Sequence, residues 1–90
     1  MFLSYYAAFH KEDNRYWLEV PDLPGCFSCG EDFITTKIMG KEAIELYLDG
    51  IDVELIPAKS TIEDIDATQG ELVLIDVEME VRDGKLCTIK

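Results

Sequence analysis

Within residues 16–29, Tyr-Trp-Leu-Glu-Val-Pro-Asp-Leu-Pro-Gly-Cys-Phe-Ser-Cys, Pro21 and Pro24 stand three positions apart, and this spacing restricts the chain more than any other feature. Val20 and Leu23 each precede a proline and are pushed toward extended backbone. Pro24-Gly25 suits the two central positions of a type II turn, in which glycine takes the positive φ. Residues 21–25 are therefore expected as a stiff surface loop between two strands. Turns of this chemistry often do no more than join a hairpin, so a recognition role for the loop has to come from its neighbours.

Those neighbours read as strands. Residues 2–9, rich in aromatic and small apolar side chains, form a first strand, and Lys11-Glu12-Asp13-Asn14 is a polar turn into a second at residues 15–20. Alternation puts Tyr16, Leu18 and Val20 on the core face of that strand and Arg15, Trp17 and Glu19 on the other. Residues 26–30 give a short third strand. Asp32 is suited to cap a helix that stops at Gly50. Residues 51–70 are acidic and irregular, with one helical turn expected near residues 61–65. Residues 71–81 form a further strand with Val73, Ile75, Val77 and Met79 on its apolar face, and Asp83-Gly84 has the chemistry of a two-residue hairpin turn that would return residues 85–89.

On the helix, steps of 100° gather Phe33, Gly40, Ala43, Ile44, Tyr47 and Ile51 on one apolar face and place Lys41, Glu42, Glu45 and Asp49 opposite. Ile34 and Ile38 fall with the charged set, one turn apart. Either the helix rolls to bury them, or they form an exposed ridge that contacts another subunit or a partner.

Nineteen acidic residues against eight basic ones give a net charge of -11, and residues 42–80 hold twelve acids with Lys59 as their one base. A field of that sign repels phosphate backbones, which argues against direct nucleic-acid binding and favours a basic partner. An acidic surface also serves solubility alone. No stretch approaches the roughly 18 apolar residues of a membrane span. The start of the chain has no basic leader or cleavage site, and three cysteines fit reduced thiols, so a cytoplasmic location is expected. Ninety residues make one small domain, for which self-association is a natural source of stability.

Catalytic and metal motifs are weak. Cys26-Phe27-Ser28-Cys29 has Cys-x-x-Cys spacing, but positions three apart on a strand point to opposite faces, which suits neither a disulfide nor a shared metal. His10 is the one histidine and sits at a turn. Asp76 and Glu78 share a strand, yet nothing in the pattern ties Asp13, Glu19 or Asp22 to them as a two-metal cluster. No cofactor, metal or catalytic residue is expected.

Five pieces in order, Tyr5-Tyr6-Ala7-Ala8-Phe9-His10, Tyr16-Trp17, Pro21-Asp22-Leu23-Pro24-Gly25-Cys26, Gly30-Glu31-Asp32 and Glu42-Ala43-Ile44-Glu45-Leu46-Tyr47-Leu48, resemble the HicB antitoxin family. The likeness covers residues 3–50 closely, and residues 72–79 resemble the last strand of the same domain. It implies a partial RNase H-like fold, α+β, in which a three-stranded antiparallel meander carries one helix and a further C-terminal strand, in the order β-β-β-α-β. It also implies the antitoxin of a type II toxin-antitoxin system that neutralises a small basic HicA-like mRNA interferase by covering its RNA-binding surface. The candidate contacts for such a toxin are Trp17, Glu19, Asp22, Leu23, Pro24, Glu42 and Glu45, with Ile34 and Ile38 as candidates for a homo-oligomer interface. Asp22 is expected either to meet a toxin arginine or lysine or to bond the amides of its own loop. Family members commonly add a DNA-binding segment. Residues 1–80 are read here as the toxin-binding domain and 81–90 as a short tail or hairpin strand, too little for such a segment. The competing readings are a metal-dependent RNase H-like nuclease and a HicB-like module that only oligomerises.

Overall fold

The computed structural model describes residues 1–61, 63 and 70–89. Among these, β1 (Phe2–Glu12), β2 (Arg15–Glu19) and β3 (Phe27–Gly30) precede α1 (Phe33–Leu48), and β4 (Glu71–Arg82) and β5 (Lys85–Thr88) follow it. The strands form one antiparallel sheet in the order β3-β2-β1-β4-β5. β1 lies at its centre, with Tyr5 opposite Ile75 on one side and Phe9 opposite Leu18 on the other. One face carries the core: Tyr5, Ala7 and Phe9 of β1, Leu18 of β2, Ile75, Val77 and Met79 of β4 and Leu86 of β5, all closed by Ile44 and Leu48 of the helix.

Local chemistry accounts for the ends of these elements. β1 runs three residues further than its apolar run, because Lys11 and Glu12 pair with Tyr16 and Arg15, and the turn shrinks to Asp13-Asn14 with Asp13 at φ 55°. The Asp32 carboxylate accepts from the Thr35 amide at 2.7 Å, which holds its pKa below the ordinary carboxylate value and starts α1. Gly50, at φ 88°, ends it.

The helix docks by a narrower stripe than expected. Thr36, Gly40, Ile44 and Leu48, each four residues apart, are its buried positions, while Phe33, Ala43 and Ile51 pack at the margin and Tyr47 remains 36% exposed. The apolar face expected to include Tyr47 is thus rotated toward Leu48. Gly40 sets this rotation, since a Cβ there would lie 2.4 Å from Cδ2 of the fully buried Leu18. The roll that would bury Ile34 and Ile38 does not occur. They are 70% and 57% exposed.

Asp83 and Gly84 both take positive φ, 52° and 76°, as the expected hairpin turn requires. The returning β5 belongs to the domain, because Leu86 is fully buried and the segment after the helix covers its outer edge: Gly50 donates to the Leu86 carbonyl at 2.7 Å, Leu86 to Ile51 at 2.9 Å and Val53 to Gly84 at 2.8 Å. A domain boundary at residue 80 therefore falls inside β4. The stretch read as irregular from residue 51 begins with this pairing and a short 3-10 turn, Val53–Leu55. The helical turn expected near residues 61–65 falls where only 61 and 63 are described.

Gly40→Ala tests the docking contact. Helix propensity alone would favour alanine by about 1 kcal/mol, but an extra methyl against Leu18 forces the core to shift, at about 1–3 kcal/mol. A net loss of stability is expected in urea denaturation, and a gain would show that the helix does not depend on this approach.

Candidate functional site

The proline loop is two turns joined at one residue. The Leu23 amide donates to the Val20 carbonyl at 3.0 Å and the Cys26 amide to the Leu23 carbonyl at 2.9 Å, so Pro21 and Pro24 each occupy the second position of a four-residue turn. Gly25 takes φ 86°, as the second turn needs. A bond from the Val20 amide to the Cys26 carbonyl, 3.0 Å, closes the pair. Leu23, the shared corner, is driven into the core and fully buried. It therefore anchors the loop and is withdrawn from the set of surface contacts. Cys26 is also in the core, where burial raises its thiol pKa, whereas Cys29 is exposed on the opposite face.

Asp22 is committed inside the chain as well. Its carboxylate accepts from the Ser60 amide at 2.8 Å and from the Ser60 hydroxyl, so it bonds a distant segment and neither its own loop nor solvent alone. Beside it the Tyr5 hydroxyl donates to the Pro57 carbonyl at 2.6 Å. Burial, and then the negative charge of Asp22, raise the Tyr5 pKa. Residues 57–60 are in this way strapped to the loop and to β1.

On the outer face of the sheet, remote from the helix, the loop borders a cavity of about 330 Å³ whose walls are Trp17, Glu19, Pro21, Pro24 and Phe27. Trp17 and Glu19 follow each other on that face of β2, and Phe27 stands directly opposite Glu19 on β3. The Trp17 ring stacks on His10 at 4.1 Å between centroids and 17° between planes. His10 Nε2 is 4.0 Å from a Glu19 carboxylate oxygen, beyond hydrogen-bond reach, and is buried without a hydrogen-bond partner among the described residues. Phe27 is 71% exposed, opposite that carboxylate.

Three of the expected contacts, Trp17, Glu19 and Pro24, thus meet in one place. Glu42 and Glu45 do not join them: they lie on α1, on the other side of the sheet, around a shallow hollow with Leu46 and Thr88. Phe27 was missing from the expected set, although its place next to Cys26 after a tight turn gives it the outward direction of Trp17 and Glu19. The links from Asp22 and Tyr5 to residues 57–60 leave no sequence signal, because they join positions 38 and 52 residues apart.

The carboxylates considered for a metal cluster are spread out. Ala8 is level with Glu19 and with Leu72, whereas Asp76 is level with Ser4 two strands from β2. Strand geometry then separates Glu19 from Asp76 by about 16 Å, far from the spacing of a two-metal centre. Asp76 accepts from the Ser4 hydroxyl and Asp22 is held by Ser60. Among the described residues no group of three or more histidine, cysteine, aspartate or glutamate side chains is placed to hold a metal ion, and no helix is long and apolar enough to cross a membrane.

The described residues thus form a small α+β domain with a stiff loop, a cavity walled by aromatic and acidic side chains, and dispersed carboxylates. Residues 5–89 match the model of the HicB-like antitoxin of bacterial toxin-antitoxin systems, and the chain belongs to that family. It is 36% identical over 63 residues to an uncharacterized 14.9 kDa protein of the rep-hol intergenic region of Haemophilus phage HP1, covering 68% of this chain and 47% of that protein. It is 40% identical over 48 residues to a UPF0150 protein of Helicobacter pylori strain J99, covering 53% of this chain and 67% of that protein. The chain thus spans about half the length of the phage relative.

Asp22→Ala is expected to lower stability by about 1–2 kcal/mol through the loss of its bonds to Ser60, and adding Ser60→Ala should cost little more, as in any pair acting as a unit. Gly25→Val, which forces a β-branched residue to positive φ, should cost about 2 kcal/mol. Urea midpoints check both. Additive effects of the two polar changes would remove the strap from the account.

Proposed function

We propose that this chain is an antitoxin that binds and neutralises a small, basic, HicA-like mRNA interferase by covering the surface with which the toxin grips RNA. Membership of the HicB-like antitoxin family carries this reading. Two features of the chain support it. The net charge of -11 suits a protein that competes with RNA for a basic surface, and the cavity beside the proline loop offers a preformed recognition feature whose rigidity lowers the entropic cost of association. The sheet with its one helix is consistent with a partial RNase H-like fold from which the carboxylate cluster of a nuclease is missing among the described residues. In this reading the chain acts as a binding protein. It works in the cytoplasm, where its target is.

The toxin face in this reading is the outer face of the sheet around Trp17, Glu19, Pro24 and Phe27. Asp76 and Glu78, exposed on the same face of β4, extend it with negative charge. Glu42 and Glu45 then contribute through the overall field, not by contact. The exposed Ile34 and Ile38 on the helix are assigned to a homo-oligomer interface, with Ile38 sharing a hollow with Leu74 and Asp76 of β4.

Co-expression with a small basic HicA-like protein, followed by affinity capture, is expected to yield a complex in which RNA cleavage by the partner is suppressed. Its association rate should fall as salt rises, since exposed charges are screened beyond about 8 Å at physiological ionic strength. A partner that is captured but stays active would sink the antitoxin reading, and a salt-independent rate would leave the acidic surface to solubility alone.

Light scattering of the isolated chain at micromolar concentration should show a dimer or tetramer that Ile38→Glu dissociates. A monomer in the unmodified chain, or an oligomer indifferent to the substitution, would take Ile34 and Ile38 out of the interface.

A further inference from the structure

We infer that the cavity beside the proline loop is a socket for one arginine side chain of the partner. The inference rests on the antitoxin reading for the partner's identity, but not for the chemistry of the socket. At about 330 Å³ the cavity lies at the lower end of the range for small-molecule sites, the scale of a single inserted side chain. Its walls are apolar and stiff: the Trp17 indole held from behind by His10, the exposed Phe27 ring, and two prolines fixed in consecutive turns. Glu19 is the one charged side chain in the lining. Its carboxylate is half exposed, and the nearest group able to carry positive charge, His10 Nε2, stays 4.0 Å away without a hydrogen bond.

A carboxylate ringed by aromatic and proline surfaces calls for a ligand with an apolar stem and a cationic end. The choice of arginine over lysine follows from shape. A planar guanidinium stacks on an indole or phenyl face while its N–H groups fork onto a carboxylate, whereas an ammonium is a compact, strongly hydrated charge. The field of a chain with net charge -11 draws such a cation in. The preformed walls need no ordering when it arrives.

Trp17 is the one tryptophan of the chain, so its emission reports on the socket directly. The probes are acetyl-Gly-Arg-Gly-amide and its counterparts with lysine and with citrulline, the neutral isostere of arginine, titrated into the full chain. The arginine peptide should change Trp17 emission saturably, with the citrulline peptide bound about tenfold more weakly because the charge-assisted contact is lost. Glu19→Gln, an isosteric change at an exposed position, should abolish the difference between the two, and Phe27→Ala should weaken both by about threefold. Unchanged thermal midpoints would establish that both variants remain folded. No saturable response, equal binding of arginine and citrulline, or equal binding of arginine and lysine would overturn the assignment. Failure of the socket is separable from failure of the antitoxin reading. A toxin that Glu19→Gln neutralises with unchanged affinity removes the socket alone, whereas an arginine response without a captured toxin supports the socket and removes its partner.

Discussion

Leu23 is the point on which the loop side of this domain turns. It is at once the last residue of one turn and the first of the next, and its burial fixes both. Without an apolar anchor at that corner the prolines would restrict the backbone but not its position relative to the sheet. With it, Pro21 and Pro24 are held outward as walls of the cavity, and Asp22 is turned toward Ser60. Burying one leucine is worth about 2 kcal/mol, and here that energy is used to aim neighbours as well as to fill the core.

The two faces of the sheet divide the work. The helix side is closed by a stripe of small and aliphatic residues, with Gly40 letting α1 approach Leu18. The outer side keeps aromatic rings next to carboxylates, an arrangement that a core would not tolerate but a surface meeting a cation can use. Period-two alternation makes this division possible: on β2, Leu18 and Glu19 are adjacent in sequence and serve opposite faces.

Much of this was legible in the residues themselves. The alternation of Leu18 and Val20 with Trp17 and Glu19, the glycine of the second turn, the Asp32 cap and the Asp83-Gly84 hairpin are local signals, and local physics decides them. Where longer-range packing decides, the sequence was a poorer guide. Helical periodicity favoured Tyr47 over Leu48 because it cannot know how closely a glycine lets the helix approach. Leu23 reads as a loop residue open to a partner until the double turn shows it pointing inward. Asp22 meets Ser60 only because residues 57–60 return across β1, a path that neither composition nor spacing announces. The meeting of Trp17, Glu19 and Pro24 was accessible from the order of strand and loop, but the contribution of Phe27 needed the register of β3.

The central strand is also the first to be made. β1 pairs along most of its length with β4, so that Phe2 lies opposite Glu78 and Phe9 opposite Glu71. Pairings of such separation form late, after the entropy of closing the intervening chain has been met. On the ribosome the β1-β2-β3 hairpins, which carry every wall of the cavity, precede the strand that supports them by some forty residues. Until β4 emerges, the edge of β1 that it will occupy has no hydrogen-bonding partner, and the nascent chain is at its most prone to mispair. Completion of the fold, and with it the support beneath the proline loop and its cavity, is thereby tied to the synthesis of nearly the whole domain.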